Sequence, residues 1–147
     1  MVNLPEQKQV FEVFEELELQ SNKSKRKAVL ERYKDMPALR DVLRGMFDDT
    51  LVFLLPEGTP PYTPNRPESA PSTLLRKHRD FGWFVKGGPG TSLPSFKREK
   101  KFIELLESVH PDDALLVLAM VNKKSPIKGL NKKLVQEVFP NLIPTDD

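Results

Sequence analysis

Lysine is the residue type whose spacing suggests chemistry in this 147-residue chain. Lys123, Lys124, Lys128, Lys132 and Lys133 fall within eleven residues that hold no acid. Gly129 sits among them, followed by Asn131 and a short helical stretch. A glycine loop running into a helix presents backbone N–H groups at the positive end of the helix dipole. Flanking ammonium groups act as point charges toward neighbouring phosphates. Helical modules grip a nucleic-acid backbone in this way without reading bases. Two more basic clusters extend the pattern: Lys97, Arg98, Lys100 and Lys101, and Lys23, Lys25, Arg26 and Lys27. A solvated basic surface is the competing reading of all three.

The residue types that signal catalysis do not assemble into a set. His78-Arg79-Asp80 has the order of a kinase catalytic loop. The downstream asparagine, the glycine-rich loop and most of the necessary chain are missing, so the tripeptide reads as helix surface. Gly87-Gly88-Pro89-Gly90 lacks the lysine and hydroxyl that close a P-loop and reads as a helix-ending turn. The pairs Asp48/Asp49, Asp112/Asp113 and Asp146/Asp147 are adjacent, and adjacent helix residues point apart, so they read as caps and tail. His110, just before Pro111, reads as a cap or surface group. Trp83, with Phe81 and Phe84, is either a base-stacking platform or core, and core is the expectation. No nucleophile, base and orienter can be named together. The expectation is a non-enzymatic chain without a cofactor.

Composition narrows the classes further. The chain has no cysteine, which excludes disulfides, thiol nucleophiles and cysteine-held zinc or iron–sulfur centres. Its two histidines exclude a three-histidine metal site. A net charge of +2 is too small to argue nucleic-acid binding from bulk charge, so the clustering carries that argument. The longest apolar run, Ala114–Val121, is far short of the ~18 residues that span a bilayer. Met1–Gln9 is polar and lacks a signal-peptide core. A soluble cytoplasmic protein with no membrane partner is expected.

The elements that must position these clusters read as helices. Val10, Phe14 and Leu17 share one face of a helix over Asn3–Leu19. Lys25–Lys34 restarts, with Ala28, Val29 and Tyr33 as the inward face. Pro37 opens a third helix carrying Leu39, Val42, Leu43 and Met46. Thr50–Leu55 suits a strand or a helical piece; with no partner strand in view, it reads as helical. Pro56–Pro71 holds six prolines in sixteen residues. It is a linker or an ordered surface excursion, and the short flanks favour the excursion. Ser72–Lys86 and Ser95–Val109 read as helices, the second with Phe102, Leu105, Leu106 and Val109 inward. Pro111-Asp112-Asp113 opens a central helix that is apolar all round over Ala114–Val121. Asn131–Phe139 is a last short helix stopped by Pro140. The chain therefore reads as all-α, one domain of six to eight helices over 1–147, with a tail at 145–147.

Lys23–Asp35, followed by Leu39-Arg40 and Val42, resembles the opening of the N-terminal DNA-binding domain of tailed-phage ATP-dependent DNA ligases. Gly129 and then Phe139-Pro140-Asn141-Leu142-Ile143-Pro144 resemble its close. The likeness spans residues 8–144 and is weak in the middle. The chain also resembles an uncharacterised family of small proteins of T4-like phages, at Leu54–Tyr62 and Phe102–Ser108. The resemblance implies an all-helical domain lying on duplex DNA, touching minor groove and phosphates. It carries over to Lys128, Gly129, Asn131, Lys132 and Lys133, and more weakly to Lys123 and Lys124. The adenylation motif is absent, so catalysis does not carry over. The Pro56–Pro71 excursion and the Gly87–Gly90 turn depart from the ligase pattern. Two expectations follow. The first is a phage module that binds duplex DNA with little sequence preference, at nicks or ends. The second is a phage protein-interaction module, a host-enzyme effector or minor virion component, on the same frame.

Overall fold

The computed structural model describes residues 8–144. Seven α-helices are described: α1 (Val10–Glu18), α2 (Lys23–Arg32), α3 (Pro37–Phe47), α4 (Leu74–Lys77), α5 (Ser95–Leu106), α6 (Pro111–Val121) and α7 (Lys132–Val138). Short 3₁₀ segments cover Pro67–Ser69, His78–Phe84 and Pro89–Ser92. The expected helical residues before Lys8, and the pair Asp146/Asp147, lie outside the described residues.

Local sequence explains most helix starts. The Asn22 side chain accepts from the Lys25 N–H at 2.9 Å and caps α2. The Gln9 N–H donates to Glu12 Oε1 at 2.9 Å, a capping arrangement at α1. Pro37 and Pro111 occupy the first turns of α3 and α6, where a missing N–H costs nothing. His110 caps α6, its Nδ1 accepting from the Asp112 N–H at 3.0 Å.

α6 lies at the centre, packed on α1, α3 and α5. It buries Ala114, Leu116, Val117, Leu118 and Met120, while Leu115 stays 59% exposed, so it is not buried all round. α3 crosses it closely: a Cβ on Gly45 would come within 2.6 Å of Met120. α2 packs on α7 and α1, with Val29 and Leu30 inward. Leu30 takes the place expected of Ala28, which is exposed.

Two expected helices are corrected together. Thr50–Leu55 is extended, and Phe53 forms an antiparallel bridge with Val85. The Leu54 N–H donates to Phe84 O at 2.7 Å and the Lys86 N–H to Val52 O at 2.8 Å. Asp48 forces the turn by accepting from the Thr50 N–H at 2.9 Å and its hydroxyl at 2.6 Å. The partner that seemed missing is the tail of Ser72–Lys86, where α-helix gives way to 3₁₀ after Lys77 and then to extended chain. Apart from this bridge the described residues form no sheet.

The Pro56–Pro71 excursion is tied down by side chains. The Asn65 amide donates to the carbonyls of Glu107 and Val109 at 2.8 and 2.7 Å. The Thr63 N–H donates to Glu107 Oε2 at 2.7 Å, and the Gly58 N–H to Asn122 Oδ1 at 3.0 Å. The strap thus lies across the α5–α6 corner of a single compact all-α domain.

Both ends of α6 hold neighbouring helices. Asp113, fully buried in its first turn, accepts from the Phe11 N–H of α1 at 3.1 Å. The Leu74 N–H, which opens α4, also favours its charged form. Burial outweighs both and, with the charges of Asp112 and Glu12, pushes its pKa up to about 7. At the other end, Lys123 takes a left-handed φ of 56°. Its N–H donates to Met120 O at 3.1 Å and the Lys124 N–H to Ala119 O at 2.9 Å, a Schellman closure built without glycine. The Lys123 ammonium reaches back to the end of α3, donating to Gly45 O at 2.7 Å and Asp48 O at 2.8 Å. It also lies 5.1 Å from the centre of the Phe53 ring. Lys123, expected at a DNA contact, is therefore a helix cap.

Two stability predictions follow from these ends. Between about pH 4 and pH 7 the native state keeps the Asp113 proton and the unfolded state releases it, so this group lowers stability as pH rises. Asp113→Asn should flatten the pH–stability curve in that window, read by urea denaturation at stepped pH. Lys123→Met should cost about 1–3 kcal/mol by leaving the carbonyls of Gly45 and Asp48 without their donor. The same denaturation series measures it.

Candidate nucleic-acid interface

Two of the three basic clusters converge. Because α2 packs on α7, the residues Lys23–Lys27 come to lie beside Lys128–Lys133. Lys23 pairs with Glu137 of α7 at 3.0 Å. The Glu137 carboxyl is held below its ordinary range first by that bond and then by the charges of Lys27 and Lys133. Lys25 and Lys128 are exposed and, among the described residues, form no ion pair.

Arg26 and Gly129 join the two clusters. The Arg26 guanidinium occupies the space a Gly129 side chain would take, since a Cβ there would come within 2.6 Å of its carbon and one of its nitrogens. Gly129 also has φ +90°, a conformation other residues resist. The Arg26 Nε is buried and has no hydrogen-bond partner. Its delocalised cation forms no ion pair with any described acid. Arg26 was legible as one member of a cluster; its docking on Gly129 had no signature in the sequence.

The other expected site residues are positioned differently. The Asn131 side chain accepts from the Leu134 N–H at 2.9 Å, capping α7. One of the backbone donors expected to be open is thereby occupied. Lys132 pairs with Asp49 at 3.4 Å. Lys124 is exposed at the rim of a groove of about 960 Å³ between residues 51–59 and the C-terminal end of α6 with the loop after it. On α5, Lys97 and Lys100 are exposed. The Arg98 guanidinium turns inward, donating to Leu54 O at 2.8 Å, Gly90 O at 3.1 Å and Leu93 O at 3.0 Å. Arg98 is thus a brace between loops and not an open cation. Lys101 sits 4.7 Å from the centre of the Trp83 ring. α5 packs on α6 and the His78–Phe84 segment, so this cluster belongs to different elements from the α2–α7 face.

His78 is corrected as well. Expected on a helix surface, it is buried, with Nδ1 at 2.5 Å from Asp41 Oδ2. The pair ties α3 to the 3₁₀ segment. His110 stacks on Phe11, ring centres 4.0 Å apart. Among the described residues no three of His, Asp or Glu converge to hold a metal ion. No described helix is long and apolar enough to cross a membrane.

No curated protein matches the chain. A family model does match it over residues 13–126, well over half its length. That span runs from α1 through Lys124 and stops before Gly129 and α7, so it covers one side of the α2–α7 face. The chain belongs to the family of unknown function DUF6433.

Proposed function

We propose that this chain is a non-catalytic phage module that binds duplex DNA through its phosphates, with little sequence preference and with nicks or ends as targets. The observation that carries the reading is the junction of Arg26 with Gly129. It brings two sequence-distant basic clusters onto one face and leaves a guanidinium there without an acidic partner among the described residues. Lys25, Lys27, Lys128 and Lys133 surround that junction on α2, the loop and α7. Arginine is the side chain whose fork matches phosphate geometry, and lysines add point charges around it. The ligase-like frame at Lys23–Asp35 and Gly129–Pro144 supports the same face, because both matched ends belong to it. Glu137 tempers the local charge and holds Lys23.

A second reading, a protein-interaction module on the same frame, is favoured by the groove of about 960 Å³ beside the exposed Val52. It gains ground if the protein fails to bind duplexes at low salt.

Fluorescence anisotropy with labelled intact and nicked duplexes tests the first reading. Engagement of about five phosphates predicts a slope of log K against log salt near −4.5. Changing Lys25, Lys128 and Lys133 together to glutamine should flatten that slope by about 2.7 and leave the circular dichroism spectrum unchanged. An unchanged slope in the triple variant rules out this face.

A further inference from the structure

Trp83 is the only tryptophan in the chain. It was expected to pack inward with its neighbours; Phe81 and Phe84 are buried, and Trp83 packs against the same core but stays half-buried. Its ring borders a pocket of about 200 Å³ between the 3₁₀ segment and α5. The local helix types build that pocket. In a 3₁₀ helix residues three apart eclipse one another, which stacks Asp80 and Trp83 on one edge. On α5, Lys97, Lys101 and Glu104 recur at helical spacing and share a face. Lys101 covers the indole, and the lining also holds Glu104 and Asp80, the latter in a loose 3.9 Å ion pair with Lys77 of the same pocket.

The combination is selective. An aromatic face offers stacking to a flat ring. Two carboxylates accept hydrogen bonds from amino groups and ring N–H groups. Lys97 and Lys101 stand one helical turn apart, about 6 Å, a spacing that suits successive phosphates of a single strand. Among the described residues Lys101 forms no ion pair and rests on the ring, and its flexible stem lets it swing to a phosphate when a base takes its place. A purely apolar ligand would leave the carboxylates unsolvated.

We propose that this pocket takes one unpaired nucleobase, stacked on Trp83. Amino-bearing bases are preferred, guanine above all, because its N1–H and amino group face a carboxylate together. Thymine offers a single N–H and is disfavoured. The inference rests on the nucleic-acid reading above and adds a second, single-strand site on different elements.

The lone tryptophan reports on the site directly. The full chain is titrated with single-stranded octanucleotides, one all thymine and one with a central guanine, while indole emission is followed. Duplex anisotropy is measured on the same preparation. Saturable quenching that is at least roughly five-fold tighter for the guanine strand is expected. Glu104→Gln with Asp80→Asn should erase that preference, and Lys101→Gln should weaken both strands. Trp83→Leu should lose single-strand affinity and keep duplex affinity; if it fails to fold, the rim variants decide. Quenching that is equal for both strands overturns the carboxylate recognition. Unchanged emission with intact duplex binding overturns the pocket and leaves the α2–α7 face standing. Quenching without duplex binding supports the pocket and removes the face. Neither signal overturns both.

Discussion

The architecture depends on the two ends of α6. At its start a buried carboxylate serves three helix N-termini: that of α6 itself, that of α1 through Phe11 and that of α4 through Leu74. Negative charge is favoured at each of these positive dipole ends, yet burial disfavours any charge there. Burial is the larger effect, so Asp113 titrates near neutrality and not in the carboxylate range. At the other end one lysine closes two helices, α6 with its backbone and α3 with its ammonium. The left-handed conformation of Lys123 is a strain that glycine would relieve, but glycine would leave the α3 carbonyls without a cation. An acid at the starts and a base at the ends is the arrangement the helix dipole prefers. Here it also links α1, α3 and α4 to the two ends of the central helix.

This arrangement explains why charge in the sequence is a poor map of charge on the surface. Lys123 and Arg98 read as members of basic clusters, and both heads are directed to backbone carbonyls. Arg26 read as one cation among four, and its docking on Gly129 makes it the centre of the α2–α7 face. A cluster in sequence records only that several cations are close along the chain. Which of them face solvent depends on which carbonyls lie within reach, and those belong to distant segments.

The helices were legible where the apolar period was long and a cap stood at the boundary. Pro37–Phe47, Pro111–Val121 and the Asn131 cap of α7 are of that kind. Thr50–Leu55 and Ser72–Lys86 were misread because their structure is mutual. Each extended piece is stabilised by the other across the Phe53–Val85 bridge, and neither carries a periodic signal of its own. Asp41–His78 is similar: the two residues sit on separate elements, and nothing near either one marks the other. Trp83 was read by its neighbours Phe81 and Phe84; it does pack against the core, but only in part, and that half exposure had no mark in the sequence.

The contact between Arg26 and Gly129 also bears on substitution at either position. The tip of Arg26 occupies the volume a side chain at 129 would need, so a change at either position alters the surroundings of the other. A side chain at 129 would push the flexible end of Arg26 aside, and its main cost would be the positive φ of the loop. Loss of the arginine uncovers a void beside the entry to α7. Positions 26 and 129 thus share one small volume, and together they tie the first third of the chain to its last.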